Sequence, residues 1–248
     1  MPPRREIKYL TFDLDDTLWP CAPVIEKAEQ ALHVWFEENY PLITGKYSLE
    51  ALREQRAAVV RRYPELRHDF TSLRKLSLAA LAEEFGYPES LAEAAIRVFR
   101  QHRNQVEFFE DALPTIERLK KRYLTGVITN GNADVRAIGI DGYFDVITYA
   151  AKAGAAKPDG GIFEAAVSAA GVAPEETVHI GDDPETDMLG AARAGMLTVW
   201  INPAQRPWPG GQIPDAVIGS LGELEPVLQR WSAGARVGAQ HKQDRRGG

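Results

Sequence analysis

One short apolar run stands alone near the start of the chain, and four more crowd into its second half. Ile7 to Phe12 is the first. "YLTGVIT" (Tyr123 to Thr129), "FDVITYA" (Phe144 to Ala150), "TVHIGD" (Thr177 to Asp182) and "LTVWIN" (Leu197 to Asn202) follow. Short, near-continuous, β-branched runs suit parallel strands covered on both faces. Helical patterns lie between the later runs: "DALPTIERLKKR", "GGIFEAAVSAAG" and "PETDMLGAARAG", the last two closed by glycine. Strands alternating with helices predict an α/β sheet with right-handed crossovers. The gap after the first run is helical instead. Pro23 to Tyr40, Ser48 to Arg62, Arg67 to Gly86 and Glu89 to Val106 read as four helices rich in Ala, Leu, Glu and Arg. The simplest chain is a core of residues 1–19 and 110–231 with a helical unit, 20–109, inserted after the first strand. Residues 232–248, rich in Gly and Arg and nearly without large apolar side chains, are expected to be disordered.

The first run ends in charge. In "YLTFDLDDTLWP", Asp13, Asp15 and Asp16 fall within four positions. Carboxylates this close repel, and they are costly beside a core, so the pattern asks for a cation. Ligands of open α/β sheets bind beyond the carboxyl ends of the strands. After the second strand come Thr129, Asn130 and Gly131. After the fourth come Asp182 and Asp183, with Asp187 a little further on, and Lys157-Pro158 opens the preceding helix. Asp13, Asp182 and the carbonyl oxygen of Asp15 offer the hard oxygen donors that Mg2+ takes together with a substrate phosphate. Thr129, with the backbone N–H groups that follow it, can hold a phosphate, although Asn-Gly is also a common turn. Asp16 and Asp183 read equally well as capping or local hydrogen-bonding residues, and Asp183 precedes a proline suited to a first helical position. Lys157 reads alone as a surface lysine, and beside the acidic cluster as its counter-charge.

Composition narrows the class. The 248 residues carry a formal net charge of -6, against the basic face of a general nucleic-acid binder. The single cysteine, Cys21, excludes an internal disulfide and a thiolate metal cage. No apolar run approaches 18 residues, and no apolar signal segment opens the chain, so a cytoplasmic protein off the membrane is expected. The charge leaves room for a small phosphorylated metabolite as partner, and no obligate protein partner is inferred.

The four strand ends together resemble the haloacid dehalogenase (HAD) superfamily. Asp13-Leu14-Asp15-Asp16-Thr17-Leu18 is similar to its DxDxT motif, Ile128-Thr129-Asn130-Gly131 to the second, Lys157-Pro158 to the third, and Gly181-Asp182-Asp183 through Asp187 to the fourth. "KPDGGIF" departs in having Gly160 where many relatives have proline. The resemblance implies a Rossmann-like core with an inserted helical C1 cap. It also implies a magnesium-dependent phosphomonoesterase. Asp13 is then the nucleophile that forms an aspartyl-phosphate, and Asp15 the general acid and base. Thr129, Asn130 and Lys157 bind the phosphoryl group, and Asp182 joins Asp13 and the Asp15 carbonyl on the metal. Asp187 is left with two roles, reaching the metal through water or orienting Lys157.

A finer resemblance, carried by "ITNGNAD", "HIGDDPETDMLGAARAGMLTVWIN" and "HDFTSLR", is to bacterial phosphatases of flavin mononucleotide (FMN) and of 5-amino-6-(5-phospho-ribitylamino)uracil, an intermediate of riboflavin synthesis. It implies that His68, Asp69, Thr71 and Arg74 face the pocket. The competing reading is that Asp69 caps its helix and His68 packs beside it. Trp19, Trp35, Phe70 and Trp208 read either as stacking surfaces for a flat ring or as core. The alternatives are a broad nucleotide or sugar phosphate phosphatase, a receiver-like phospho-aspartate signalling module, and a 2-haloacid dehalogenase. Asp15 speaks against the last, because dehalogenases of the superfamily lack it.

Overall fold

A computed structural model gives the fold, and it describes residues 6–232. Six parallel strands form one sheet in the order β3-β2-β1-β4-β5-β6. They are β1 (Tyr9–Phe12), β2 (Leu124–Thr129), β3 (Val146–Tyr149), β4 (Thr177–Gly181), β5 (Leu197–Ile201) and β6 (Ala216–Ile218). The five expected runs are all strands, each trimmed at one or both ends. The three-residue edge strand β6 is additional, being too short to carry a period of its own. Every residue of β1 is buried, as a central parallel strand covered on both faces requires.

Five α-helices make up the insert after β1: α1 (Cys21–Asn39), α2 (Pro41–Lys46), α3 (Leu49–Arg62), α4 (Phe70–Glu84) and α5 (Ser90–Arg103). Four were expected. The extra one, α2, is a short segment with Gly, Thr and Ile inside it, all weak helix formers. The insert has its own core, in which Leu32 and Phe36 of α1 meet Leu78 and Leu81 of α4 and Leu91, Ala95 and Phe99 of α5. Beyond it come α6 (Ala112–Leu119), the single turns α7 (Val135–Ile138) and α8 (Ala150–Ala153), α9 (Gly160–Ala170) and α10 (Gly190–Arg193). Ile116 and Leu119 of α6 cover one face of the sheet with Leu224, Val227 and Leu228. Ile162, Phe163 and Ala166 of α9 cover the other with Ala191 and Met196. Ser232, placed in the expected tail, still belongs to the last helical stretch, and residues 233–248 lie outside the described residues.

The sheet leaves no room at Gly126 of β2. A methyl group there would lie 2.7 Å from Cζ of Tyr9, which is fully buried on the adjacent β1. Gly126→Ala is therefore expected to destabilise the fold by about 1–3 kcal/mol, read as a lower urea midpoint with unchanged slope. An unchanged midpoint would contradict this packing.

Candidate active site

The order of strands reverses between β1 and β4, and the crevice there is bounded by the carboxyl ends of β2, β1 and β4. Thr129 ends β2, Asp13 follows β1 and Asp182 follows β4. The Asp13 N–H donates to the carbonyl of Ile180 at 2.9 Å, which fixes the backbone of the two acidic strand ends against each other. Asp13, Asp182 and Asp187 each bring a carboxylate oxygen within 4.8 Å of the others. Lys157, 5% exposed, reaches into this cluster. Its Nζ donates to Oδ1 of Asp13 at 2.7 Å and to Oδ1 of Asp187 at 2.5 Å.

Neighbouring side chains brace this pair. Asn130 Nδ2 donates to the carbonyl of Lys157 at 3.0 Å, and its Oδ1 accepts from the Lys157 N–H at 2.8 Å. The Asn130 side chain thus holds Lys157, while Thr129 Oγ1 accepts from the Gly131 N–H at 3.0 Å. Asp187 Oδ1 also meets Nε2 of the wholly buried His179 at 3.2 Å, and Oδ2 accepts from the Asp183 N–H at 3.0 Å. His179 Nδ1 lies 2.9 Å from Oγ1 of Thr11 on β1. Asp187 thus bonds Lys157 directly and also belongs to the group of three neighbouring carboxylates. His179 and Thr11 went unnoticed in the sequence because both read there as ordinary strand residues.

One ammonium between two buried carboxylates leaves negative charge in excess. Burial, with Asp187 and Asp15 nearby, pushes Asp13 up to about 8, although Lys157 pulls the other way. Burial acts on Asp187 in the same sense, but the Lys157 ammonium and the His179 hydrogen bond outweigh it and hold the group below the carboxylate range. Burial works against the charge on Lys157, and its two carboxylates outweigh that and hold it protonated. Asp182 is pushed up to about 7 by burial and then by Asp187, Asp16 and Asp183. Burial depresses His179, against the pull of the Asp187 carboxylate. Asp13 and Asp182, oxygen donors that hold protons too tightly, suit a hard divalent cation, which would replace those protons. Asp13 and Asp182 would hold it.

Asp15 stands apart from the lysine cluster. Its Oδ1 accepts from Trp19 Nε1 at 2.9 Å, and its Oδ2 accepts from Arg103 Nη2 at 2.5 Å. Arg103 escaped the sequence reading because 88 positions separate it from Asp15. The only local signal is its place four residues after Phe99, on the apolar stripe of α5.

Other expected residues are engaged locally. Asp183 caps the π-helical turn Pro184–Leu189, accepting from the N–H groups of Glu185 and Thr186. Asp16, at φ 58, accepts from the Cys21 N–H at 2.8 Å. Asp69 caps α4 through the Ser72 N–H at 2.9 Å. Arg74, expected at the pocket wall, lies inside the insert instead. Its guanidinium sits 3.5 Å from the Phe99 ring centroid and 3.8 Å from buried Glu29, which Arg53 and Arg56 also pair. Burial, and then Arg56, push Arg74 down to about 9. Trp19, Trp35 and Trp208 pack edge-on or tilted against Phe108, Phe36 with Tyr40, and Trp200. His68, Asp69, Phe70 and Thr71 do line a cleft of about 680 Å³ between the insert and the sheet, opposite Tyr149 and Lys152. It shares Asn130 and Gly131 with the strand-end residues, while Asp13, Asp182, Asp187 and Lys157 are not part of its lining.

A parallel sheet with a carboxylate cluster at its reversal point and a helical insert after β1 defines a Rossmann-like catalytic core. The family model described as haloacid dehalogenase-like hydrolase matches residues 7–195, and the chain belongs to that family. It is 32% identical over 234 residues to the 5-amino-6-(5-phospho-D-ribitylamino)uracil phosphatase YigB of Escherichia coli, across 91% of this chain and 98% of that one. It is 30% identical to the glyceraldehyde 3-phosphate phosphatase of Pyrococcus furiosus, across 91% and 95%. Among solved structures, one described as a 2-haloacid dehalogenase from Pseudomonas syringae pv. Tomato aligns with a TM-score of 0.86 and 41% identity, covering 91% of this chain and 99% of that one. The HAD phosphatase of Thermococcus onnurineus aligns at 0.67 and 26%, across 90% and 98%.

The raised carboxylates give a pH signature. Asp13 near 8 and Asp182 near 7 bind protons more tightly in the fold than in the unfolded chain. Their contribution to stability without metal is full at low pH and is lost as pH rises through those values. His179 acts with opposite sign near its ordinary value, with or without metal. The difference in Tm between magnesium-loaded and chelated protein is therefore expected to widen from about pH 5 to about pH 8. A constant or narrowing difference in calorimetry would contradict the assignment.

Proposed function

We propose that the chain is a magnesium-dependent phosphomonoesterase that works through an aspartyl-phosphate on Asp13. The observation that carries this is a pair of carboxylates two residues apart in different settings. Asp13 is tied to the Lys157 ammonium, and Asp15 is turned toward the Gly131 end of β2. In this reading Asp13 attacks phosphorus, and the leaving oxygen takes a proton from Asp15 as its bond to phosphorus breaks. Asp15 then takes a proton from the water that hydrolyses the acyl phosphate. Lys157, the Thr129 hydroxyl and the Asn130 backbone N–H hold the phosphoryl oxygens. Bound Mg2+ supplies charge neutralisation between the entering carboxylate and the phosphate. Asp13 and Asp182 would hold it, with the Asp15 carbonyl as a third donor, and Asp187 keeps Lys157 in line.

FMN, or the phosphorylated ribityl intermediate of riboflavin biosynthesis, is the substrate class we infer. The YigB relative supports it over nearly its whole length. The cleft has a volume typical of small-molecule sites, and Phe70, 44% exposed at its wall, offers a ring face. Hydrolysis of 2-haloacids is a second reading, favoured by the resemblance to the Pseudomonas structure. A departing halide needs no proton, however, and a 2-haloacid carries one negative charge away from the attacked carbon, where a phosphate monoester carries up to two on the attacked phosphoryl group. Asp15 and the surplus of carboxylates serve phosphate chemistry better.

A panel of phosphate esters with 2-chloropropionate alongside, run with magnesium and after chelation, tests these readings. Magnesium-dependent release of phosphate, fastest from FMN or its ribityl relative, is expected, with no chloride released. Sugar phosphates cleaved as fast as FMN would leave a broad phosphatase, and chloride release would establish the dehalogenase. Asp13→Asn is expected to abolish turnover with the fold intact, and Asp15→Asn to slow esters of poor leaving groups by about 10²–10⁴-fold. Substantial turnover by Asp13→Asn would remove it from the nucleophile role.

A further inference from the structure

We propose that Trp19 and Arg103 form a two-point clamp on the Asp15 carboxylate, which ties the position of this group to that of the helical insert. The proposal rests on the reading of Asp15 as the residue that exchanges a proton with the leaving oxygen. Both donors are positioning residues.

The chain crosses between sheet and insert twice, and each crossing ends on Asp15. Trp19 lies two residues before α1, on the outgoing connection, and its indole N–H donates to Oδ1 at 2.9 Å. Arg103 is the last residue of α5, where the chain returns, and its Nη2 donates to Oδ2 at 2.5 Å. The two connections are fastened to each other as well. The Phe109 N–H donates to the Leu18 carbonyl at 2.9 Å, and the Trp19 ring meets Phe108 edge-on at 5.5 Å. Neither donor has slack, since Trp19 is 0% and Arg103 1% exposed. A movement of α1 or α5 relative to the sheet therefore moves a hydrogen-bond donor of Asp15.

Insert stability does not account for an arginine at this position. Leu91, Ala95, Phe99 and Arg103 follow one another at four-residue steps on the buried stripe of α5, where leucine or methionine would fill the last step. Arg103 instead buries Nε and Nη1 without a hydrogen-bond partner among the described residues, which is costly for a charged group. Nη2 is the atom that is used, and Asp15 is what it binds. The bound oxygen is also the one facing the phosphate end of the crevice. A methyl group at Gly131 would fall 2.6 Å from Oδ2 of Asp15 and 3.3 Å from Nη2 of Arg103. Arg103 thus aims the oxygen nearest the transferred group, and Trp19 fixes the carboxylate plane. Seating of the insert over a substrate and alignment of the acid–base group become one event.

The test follows the first-turnover release of phenol from a series of aryl phosphates, using the full chain with magnesium. The phenols run from strongly to weakly acidic. Arg103→Ala, and Trp19→Phe, which keeps a ring and loses the donor, are expected to slow release of the weakly acidic phenols by about ten- to a hundred-fold. Release of the most acidic phenol, which leaves without a proton, and KM are expected to change little. Guanidinium ion at millimolar concentration is expected to restore part of the loss in Arg103→Ala. It should do nothing for Lys75→Ala, which breaks the exposed α4–α5 pair with Glu93 and should behave as wild type throughout. Where Arg103→Ala fails to fold, Arg103→Lys and Trp19→Phe carry the same comparison. A loss equal across the phenols, a change in KM alone, or no loss would overturn the clamp. Failure of the wild-type protein to cleave any phosphate ester would overturn the phosphatase reading itself, a separate and recognisable outcome.

Discussion

A lysine ammonium buried between two carboxylates organises this molecule. Lys157 binds Asp13 and Asp187 at 2.7 and 2.5 Å with almost no exposure to solvent. Removing such ions from water costs several kcal/mol each, and only close, well-bonded pairing offsets it. The surroundings supply that bonding. Asn130 grips the Lys157 backbone, His179 and the Asp183 N–H hold Asp187, and Thr11 meets the far side of the His179 ring. The chain of contacts runs from β1 through β4 and back to the end of β1. A site built this way cannot be distorted at one residue without disturbing the central strands.

Charge balance then explains the rest of the crevice. Asp13, Asp182 and Asp187 outnumber the one ammonium, and burial pushes Asp13 and Asp182 toward holding protons. In this account a hard cation meets that imbalance and also offsets the negative charge of the incoming phosphoryl group. Asp15, outside the lysine cluster, is governed by different neighbours, which come from the two connections to the helical insert. The two carboxylates of one short motif are thereby divided between the sheet and the insert.

How much of this the sequence discloses depends on distance along the chain. The parallel strands were legible because their runs are apolar and bounded, and the gathering of Asp13, Thr129 and Asp182 followed from where those strands end, with Lys157 read as the counter-charge to the acidic cluster. The capping roles of Asp69 and Asp183 were among the readings weighed, since an aspartate before a helix start is a local signal. The partners of Asp15 were not legible, because nothing near Arg103 marks it as more than the end of a helix. The burial of Arg74 was missed for a related reason. Its place depends on Glu29 and Phe99, contributed by two other helices, and a charged side chain on a helix gives no sign of which neighbour it will meet. The edge strand β6 and the short helix α2 fall below the length at which periodicity speaks.

The central claim is that Asp13 takes the phosphoryl group while Lys157 and Asp187 hold it in line. Rapid acid quench during turnover of an aryl phosphate with a strongly acidic phenol and magnesium, followed by peptide mass spectrometry, tests this most directly. The account predicts a hydroxylamine-labile phosphoryl group on Asp13, which accumulates in Asp15→Asn and is absent from Asp13→Asn. A phosphoryl group on another residue, or steady turnover with no covalent phosphoenzyme in either protein, would contradict it.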